Sequence, residues 1–133
     1  MNKLPGMITH IQQSGAIILV DISVDGHGFS AILIDSGTSN QCLGVGAPVN
    51  LIFKETEVSL ARNLSGSLST RNRLQCTVTG INRGELLSLV SLQFGQHSIA
   101  SSVTTRAVDS LQLHVGDNVE ALIKATEVSL MYT

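Results

Sequence analysis

The chain has 133 residues, of which 43% are hydrophobic and 14% are charged, and its formal net charge is −2. With no Trp, one Tyr and three Phe, it lacks the basic clusters and stacking aromatics of a nucleic-acid groove, so we expect no direct nucleic-acid binding. No apolar run approaches the roughly 18 residues of a membrane-spanning helix, and residues 1–6 reach a turn without a signal peptide. We therefore expect a cytoplasmic protein without membrane insertion.

A repeat with an offset of 70 residues runs through the chain. The segment KETEVSL at 54–60 returns as KATEVSL at 124–130, and the same offset pairs Asn2 with Asn72. The sequence predicts two copies of one unit, residues 1–61 and 69–133, joined by the linker 62–68. Units of about 60 residues bury limited apolar surface, and charged residues are far scarcer than the roughly 25% of a typical soluble domain. We therefore expect the copies to pack together or the chain to form a homo-oligomer.

Both copies have the alternating and β-branched patterns of strands. The predicted strands of copy one are 7–11, 17–24, 29–34, 49–53 and 57–60, with a hairpin turn at 25–28. Those of copy two are 78–81, 86–94, 98–104, 119–123 and 127–131.

A helical signal precedes the fourth strand. In copy two, Thr105 is a suitable N-cap, and the spacing of Ala107, Val108 and Leu111 fits one or two helical turns. In copy one the weaker counterpart is 35–41, with Asp35 at the capping position. Five short strands with a helical turn before the fourth outline an OB-like Greek-key barrel. The sequence thus predicts an all-β fold of two tandem five-stranded barrels.

No residues combine into a recognisable catalytic or metal centre. The four histidines match no zinc-ligand spacing, and no Cys-x-x-Cys accompanies them. Cys42 and Cys76 stand at non-equivalent positions of the repeat, which predicts buried free thiols in a reducing compartment. We expect a protein that is not an enzyme and has no direct metal ligands.

Two segments concentrate hydrogen-bond donors without carboxylates. They are SLSTRNR at 67–73 and KAT at 124–126. Hydroxyls, a guanidinium and an ammonium suit a fully ionised oxyanion, which only accepts hydrogen bonds. A protonated oxyanion would leave its proton unpaired there, at a cost of about 1–3 kcal/mol. The alternative interpretation is a solvated linker end beside a strand-edge lysine.

The same segments resemble a known family. Residues 69–74, STRNRL, resemble the Ser-Ala-Arg-Asn-x-Leu opening of the molybdate-binding Mop (TOBE) domain, and residues 111–128 are similar to its closing half. Copy one has the matching opening NKLPG at 2–6 and closes with KETEV at 54–58. Such pairs occur in di-Mop molbindins and in the C-terminal half of ModE-type regulators. The resemblance implies OB-like barrels, often with a strand exchanged between units, that bind molybdate or tungstate at interfaces.

Carried over to matching positions, the resemblance implies an oxyanion site with a contribution from a neighbouring unit. The implied site residues are Ser69, Thr70, Arg71, Lys124, Ala125 and Thr126, with Thr104 supplied across the interface. Lys54 and Thr56 are the secondary candidates in copy one.

The chain also departs from the family pattern. Thr70 replaces the usual Ala, and Cys76 stands where the family usually has Gly. Copy one has no Ser-x-Arg before Asn2, and Ile34 stands at the position of Thr104. Its Lys54 is followed by Glu55, and a carboxylate beside a dianion repels it. We therefore expect the site of copy one to be degenerate and that of copy two to be competent.

These observations predict a molbindin-like protein that binds molybdate or tungstate for storage, homeostasis or sensing, assembled as a dimer or trimer. The alternative is a ligand-free regulatory or dimerisation module that acts with a molybdate-transport ATPase or a transcription regulator. A third reading, an OB-fold that binds single-stranded nucleic acid, is disfavoured by the shortage of aromatic residues.

Overall fold

A computed structural model describes residues 1–35 and 43–133, and strands dominate this part of the chain. The strands are β1 (Asn2–Ser14), β2 (Ile17–Val24), β3 (His27–Ile34), β4 (Pro48–Phe53), β5 (Ser59–Ala61), β6 (Asn72–Arg83), β7 (Leu87–Phe94), β8 (His97–Thr104), β9 (Asn118–Ile123) and β10 (Ser129–Tyr132). Within the described residues, one α-helix, α1, covers Thr105–Leu111. Two 3₁₀ turns, Glu55–Glu57 and Ala125–Glu127, precede β5 and β10.

The two copies exchange their last strands. The first sheet has the order β10-β4-β1-β2-β3 and the second has the order β5-β9-β6-β7-β8, each with five antiparallel strands. In the first sheet Ser129 pairs with Ile52, and in the second Ser59 pairs with Leu122. The predicted all-β fold with two five-stranded OB-like units is confirmed, and each unit contains a strand from the other copy. The division of the sequence at 62–68 stays a prediction about the repeat.

The hairpin turns follow from residues that tolerate positive φ. Asp25 and Gly26 have φ of 51° and 83°, the pattern of a type I′ turn, whose twist matches the flanking strands. The predicted turn at 25–28 is therefore limited to two residues, and His27 already belongs to β3. In copy two, Gly95 with φ of 57° fills the equivalent place.

The first strand of each unit is longer than its sequence pattern predicted, because it serves two neighbours. The N-terminal half of β1 pairs with β4, and the C-terminal half pairs with β2. An irregularity between Ile8 and His10 separates these halves, and the same irregularity lies between Val78 and Gly80 in β6. A bulge bends a strand and increases its twist, so one strand can follow the curved sheet past both partners.

Three boundary predictions need correction or fall outside the described residues. Glu57 and Glu127 were expected to open the fifth strands, but both lie in 3₁₀ turns, where the chain crosses to the other sheet. The N-cap of α1 is Thr104 rather than Thr105, because the Thr104 hydroxyl accepts a hydrogen bond from the backbone N–H of Ala107. The helical turn expected at 35–41 lies almost wholly in 36–42, outside the described residues.

The core of each unit follows the alternation of its strands. In β2 every second residue from Ile18 to Val24 is buried, and β7 repeats the pattern from Ser88 to Phe94. Cys76 is a buried free thiol, and burial raises its pKa to about 11. Cys42 lies outside the described residues.

Two buried asparagines fasten each sheet to the other. The side-chain amide of Asn72 donates to the backbone O of Ser30 at 2.9 Å and accepts from its N–H at 2.8 Å. Asn2 makes the same pair of bonds with Ala100, both at 2.8 Å. Ser30 and Ala100 lie on β3 and β8, the edge strands of the two sheets. Each amide thus satisfies edge groups that would otherwise lack a partner strand. We call these two pairs the asparagine clasps.

Asn72→Ala should lower the free energy of unfolding by about 1–3 kcal/mol, since it leaves polar backbone groups of β3 without partners. Urea unfolding monitored by circular dichroism measures this change. Asn82→Ala, on an exposed position of the same strand, is the matched control and should change stability by less than about 0.5 kcal/mol. Equal effects of the two substitutions would contradict the structural role given to the clasp.

Candidate functional site

The cationic residues singled out in copy two meet at one end of the second sheet. Asn72 of β6 pairs with Ile123 of β9. Arg71 directly precedes Asn72 and Lys124 directly follows Ile123, so both lie at the same end of this antiparallel pair. The Arg71 guanidinium donates through Nε to the backbone O of Ser69 at 3.1 Å and through Nη2 to the backbone O of Leu68. Among the described residues no carboxylate forms an ion pair with Arg71 or Lys124. Both positive charges are therefore available to an anion.

Lys124 opens onto a cavity that belongs to both copies. The cavity has a volume of about 250 Å³. Its lining residues are Thr70, Leu122, Lys124 and Glu127 of copy two and Thr56, Glu57 and Ser59 of copy one. We call it the Lys124 pocket. The copy-one residues reach it because the first 3₁₀ turn and β5 cross into the second sheet.

A second cavity repeats this arrangement around Lys54. Its volume is about 240 Å³. It is lined by Met1, Ile52, Phe53, Lys54 and Glu57 of copy one and by Thr126, Glu127 and Ser129 of copy two. We call it the Lys54 pocket. Most of its lining residues follow from those of the Lys124 pocket when the two copies are interchanged.

The structure therefore separates two residues that the sequence placed together. Lys124 lines one pocket and Thr126 lines the other, because the 3₁₀ turn that begins at Ala125 carries the chain to the first sheet. Ser69 and Arg71 flank Thr70, which lines the Lys124 pocket. Of the secondary candidates, Thr56 joins Lys124, while Lys54 lies with Thr126.

Sequence reasoning missed Ser59 and the two carboxylates. Glu57 and Glu127 line both pockets, whereas the donor segments were expected to lack carboxylates. The offset of 70 residues links Glu57 with Glu127 and Ser59 with Ser129. Applied together with strand exchange, that offset was the signal that could have identified them.

The charge of Glu55 in copy one is paired with the N-terminal amino group. Its carboxylate accepts a hydrogen bond from the Met1 amino group at 2.6 Å, and this bond holds the pKa of Glu55 below its usual value. The corresponding residue of copy two is Ala125, so a carboxylate at this position is a feature of copy one alone.

Thr104 lies at the opposite end of copy two from Arg71. It pairs with Leu87 beyond the C-terminal end of β6, whereas Arg71 precedes the N-terminal end of the same strand. At about 3.3 Å per residue, the 12 residues of β6 extend about 40 Å. One anion cannot contact Arg71 and Thr104 of the same chain.

The surroundings of Thr104 form a separate cavity of about 580 Å³. Arg83 and Asp109 face each other there with bonds of 2.7 and 2.8 Å, and the Arg83 guanidinium holds the pKa of Asp109 below its usual value. Arg106 lines the same cavity and has no ion pair with any described residue. Glu85 also lines this cavity, so two guanidinium groups and two carboxylates surround Thr104.

Within 1–35 and 43–133, no group of three or more His, Cys, Asp or Glu side chains is arranged to hold a metal ion. Over the same ranges, no helix has the length and apolar character needed to cross a membrane.

Known proteins with similar sequences identify the family. The TOBE domain profile matches residues 68–130. The probable molybdenum-pterin-binding protein of Haemophilus influenzae (strain ATCC 51907 / DSM 11121 / KW20 / Rd) is 39% identical over 62 residues, which are 46% of this chain and 90% of that protein. The chain belongs to the TOBE-domain family. The predicted membership of the Mop/TOBE group is confirmed.

The TOBE chain also resembles part of a larger protein and the whole of a solved one. The molybdenum import ATP-binding protein ModC of Brucella abortus (strain 2308) is 44% identical over 81 residues, which are 60% of this chain and 23% of ModC. The structure of the cytoplasmic molybdate-binding protein ModG, with molybdate bound, matches with a TM-score of 0.93 and 29% identity. That match covers 99% of this chain and 96% of the ModG chain, so both TOBE copies have a counterpart there.

The hydroxyl of Thr104 has a structural role as a helix cap. Its bond to the N–H of Ala107, at 3.1 Å, caps α1. Thr104→Ala should lower the free energy of unfolding by about 1 kcal/mol, and Thr104→Ser should retain most of it, because both Thr and Ser are favourable caps. Thermal or urea unfolding gives the values. If the Ala and Ser variants were equally stable, the cap would contribute nothing.

Proposed function

We propose that this protein binds molybdate or tungstate and serves molybdenum storage, homeostasis or sensing in the cytoplasm, as a binding protein rather than an enzyme. The observation that carries the proposal is the position of Arg71 beside Lys124 at the end of the β6–β9 pair. Two cations without carboxylate partners at one place, next to the hydroxyls of Ser69 and Thr70, suit a dianion that accepts hydrogen bonds on every side.

The guanidinium of Arg71 needs only a local rearrangement to reach such a ligand. It now donates to the backbone carbonyl oxygens of Leu68 and Ser69, just before it in the chain, and both bonds are exposed. A bound oxyanion offers charged acceptors in their place, and hydrogen bonds between two charged groups are roughly twice as strong as neutral ones. Exchange of partners by Arg71 therefore favours the bound state.

The proposal includes assembly of several chains. Thr104 and Arg71 lie at opposite ends of copy two, so a site that uses both requires Thr104 of a neighbouring chain. The low share of charged residues agrees with surface covered by such neighbours. The resemblance to ModG, described as a molybdate-binding protein, and to a probable molybdenum-pterin-binding protein supports the ligand class.

One observation favours a second candidate, a ligand-free regulatory or dimerisation module. Glu57 and Glu127 line the Lys124 pocket, and two carboxylates against one ammonium disfavour a dianion inside it. If Arg71 and Lys124 did not compensate these two negative charges, the protein would keep the TOBE fold without binding the oxyanion. The similarity to one part of ModC agrees with a module that works beside a transport ATPase.

Arg71→Ala should weaken molybdate binding by about tenfold to a hundredfold, the effect of losing a charge-assisted hydrogen bond. Calorimetric titration with molybdate, and with sulfate and phosphate for selectivity, measures this change. The fold should persist, because Arg71 is exposed and bonds only to its own linker. Lys54→Ala, the corresponding cation change in copy one, is the control and should leave affinity at the Lys124 site near that of the wild type. No heat from the wild-type protein would establish the ligand-free alternative.

A mixture of two defective chains tests whether neighbouring chains share the site. Arg71→Ala and Thr104→Val variants should each bind weakly alone. Co-expressed in one assembly, they should recover some tight sites, since a junction can join the intact Arg71 of one chain to the intact Thr104 of the other. Titration of the mixed assembly gives the number of recovered sites. Absence of any recovery in a mixture proven to be mixed by mass spectrometry would remove Thr104 from the proposed site.

A further inference from the structure

Two of the three hydroxyl residues that line the Lys124 pocket come from the other copy. Ser59 pairs with Leu122 in the β5–β9 ladder, two residues before Lys124 on β9. Thr56 lies one turn earlier, in the 3₁₀ turn that brings copy one to this edge. Both side chains are exposed, and both line the Lys124 pocket.

The hydroxyls that follow Lys124 in sequence face elsewhere. Thr126 and Ser129 line the Lys54 pocket, since Ser129 pairs with Ile52 of the first sheet. The two hydroxyl pairs have the same residue types at positions related by the offset of 70 residues. They differ in the lysine that they accompany.

We propose that Thr56 and Ser59 of copy one are ligand-binding residues of the Lys124 site, and that Thr126 and Ser129 are not. This inference rests on the proposed oxyanion function and assigns its donors. Each hydroxyl has one O–H donor, and neither Thr56 nor Ser59 makes a side-chain hydrogen bond in the described part of the structure. Both donors are therefore free for a bound anion, and copy one contributes to binding although Met1 stands at its counterpart of Arg71.

The carboxylates of the pocket make these donors more important. Around Lys124, Glu57 and Glu127 bring two negative charges against one ammonium. A dianion enters only if neutral donors and the nearby Arg71 supplement the lysine, because Coulomb attraction from Lys124 alone is offset. The cavity of about 250 Å³ corresponds to roughly eight water volumes, which gives space for a tetrahedral oxyanion in contact with hydroxyls from both copies.

The test compares two double variants by calorimetric titration of the full chain with molybdate. Thr56→Val with Ser59→Ala should weaken binding at the Lys124 site by roughly tenfold or more, the effect of losing hydrogen bonds to a charged ligand. Thr126→Val with Ser129→Ala makes the same chemical change in the Lys54 pocket. This second variant should leave the affinity of the Lys124 site unchanged. Circular dichroism confirms that both variants keep the β-fold.

The outcomes separate this inference from the function on which it rests. Wild-type binding that is lost only in the Thr126/Ser129 variant, or is equal in both variants, would overturn the assignment of donors and leave oxyanion binding intact. No wild-type binding would overturn the proposed function itself. As a second measurement, Glu57→Gln should strengthen molybdate binding, because it removes one negative charge and keeps the side-chain shape. Weaker binding in that variant would contradict the charge argument.

Discussion

The exchange of the last strands, fixed by the two asparagine clasps, is the constraint on which the rest of the structure depends. Without β10 the first sheet would end at β4, and without β5 the second would end at β9. Each copy would then present an unpaired edge, and a unit of about 60 residues buries little surface with which to offset that loss. Asn2 and Asn72 add specific hydrogen bonds at the opposite edges. The chain is therefore one interlocked body, although its sequence is a plain tandem repeat.

The same exchange rearranges the candidate site. In a repeat without exchange, residues that follow Lys124 would stay in its pocket, and the two pockets would each belong to one copy. Here the 3₁₀ turns separate Lys124 from Thr126 and bring Thr56 and Ser59 to it. A substitution in one copy can thus act on the pocket that carries the lysine of the other.

More of the fold than of the candidate site could be predicted from the sequence. The strands were predictable because alternation in β2 and β7 reports burial directly, and the 70-residue offset fixed the number of units. The starts of β5 and β10 were misplaced because Glu57 and Glu127 belong to turns that exist only to change sheets, a tertiary requirement without a local signal. Strand exchange itself was implied by family resemblance and not by any periodicity. The pairing of Lys124 with Thr56 and Ser59 depends on that exchange, so single-copy logic could not give it.

The two copies also differ in the charged residues near their lysines, and this difference decides which pocket suits an anion. Copy two has Arg71 before its clasp and Ala125 after its lysine, so positive charge accumulates at the end of the β6–β9 pair. Copy one has Glu55 after Lys54, and its carboxylate forms an ion pair at 2.6 Å with the amino group of Met1. Glu57 and Glu127 are shared by both pockets and cannot distinguish them. The asymmetry thus comes mainly from Arg71, in whose place copy one has Met1, and this additional positive charge favours a dianion at Lys124 over one at Lys54.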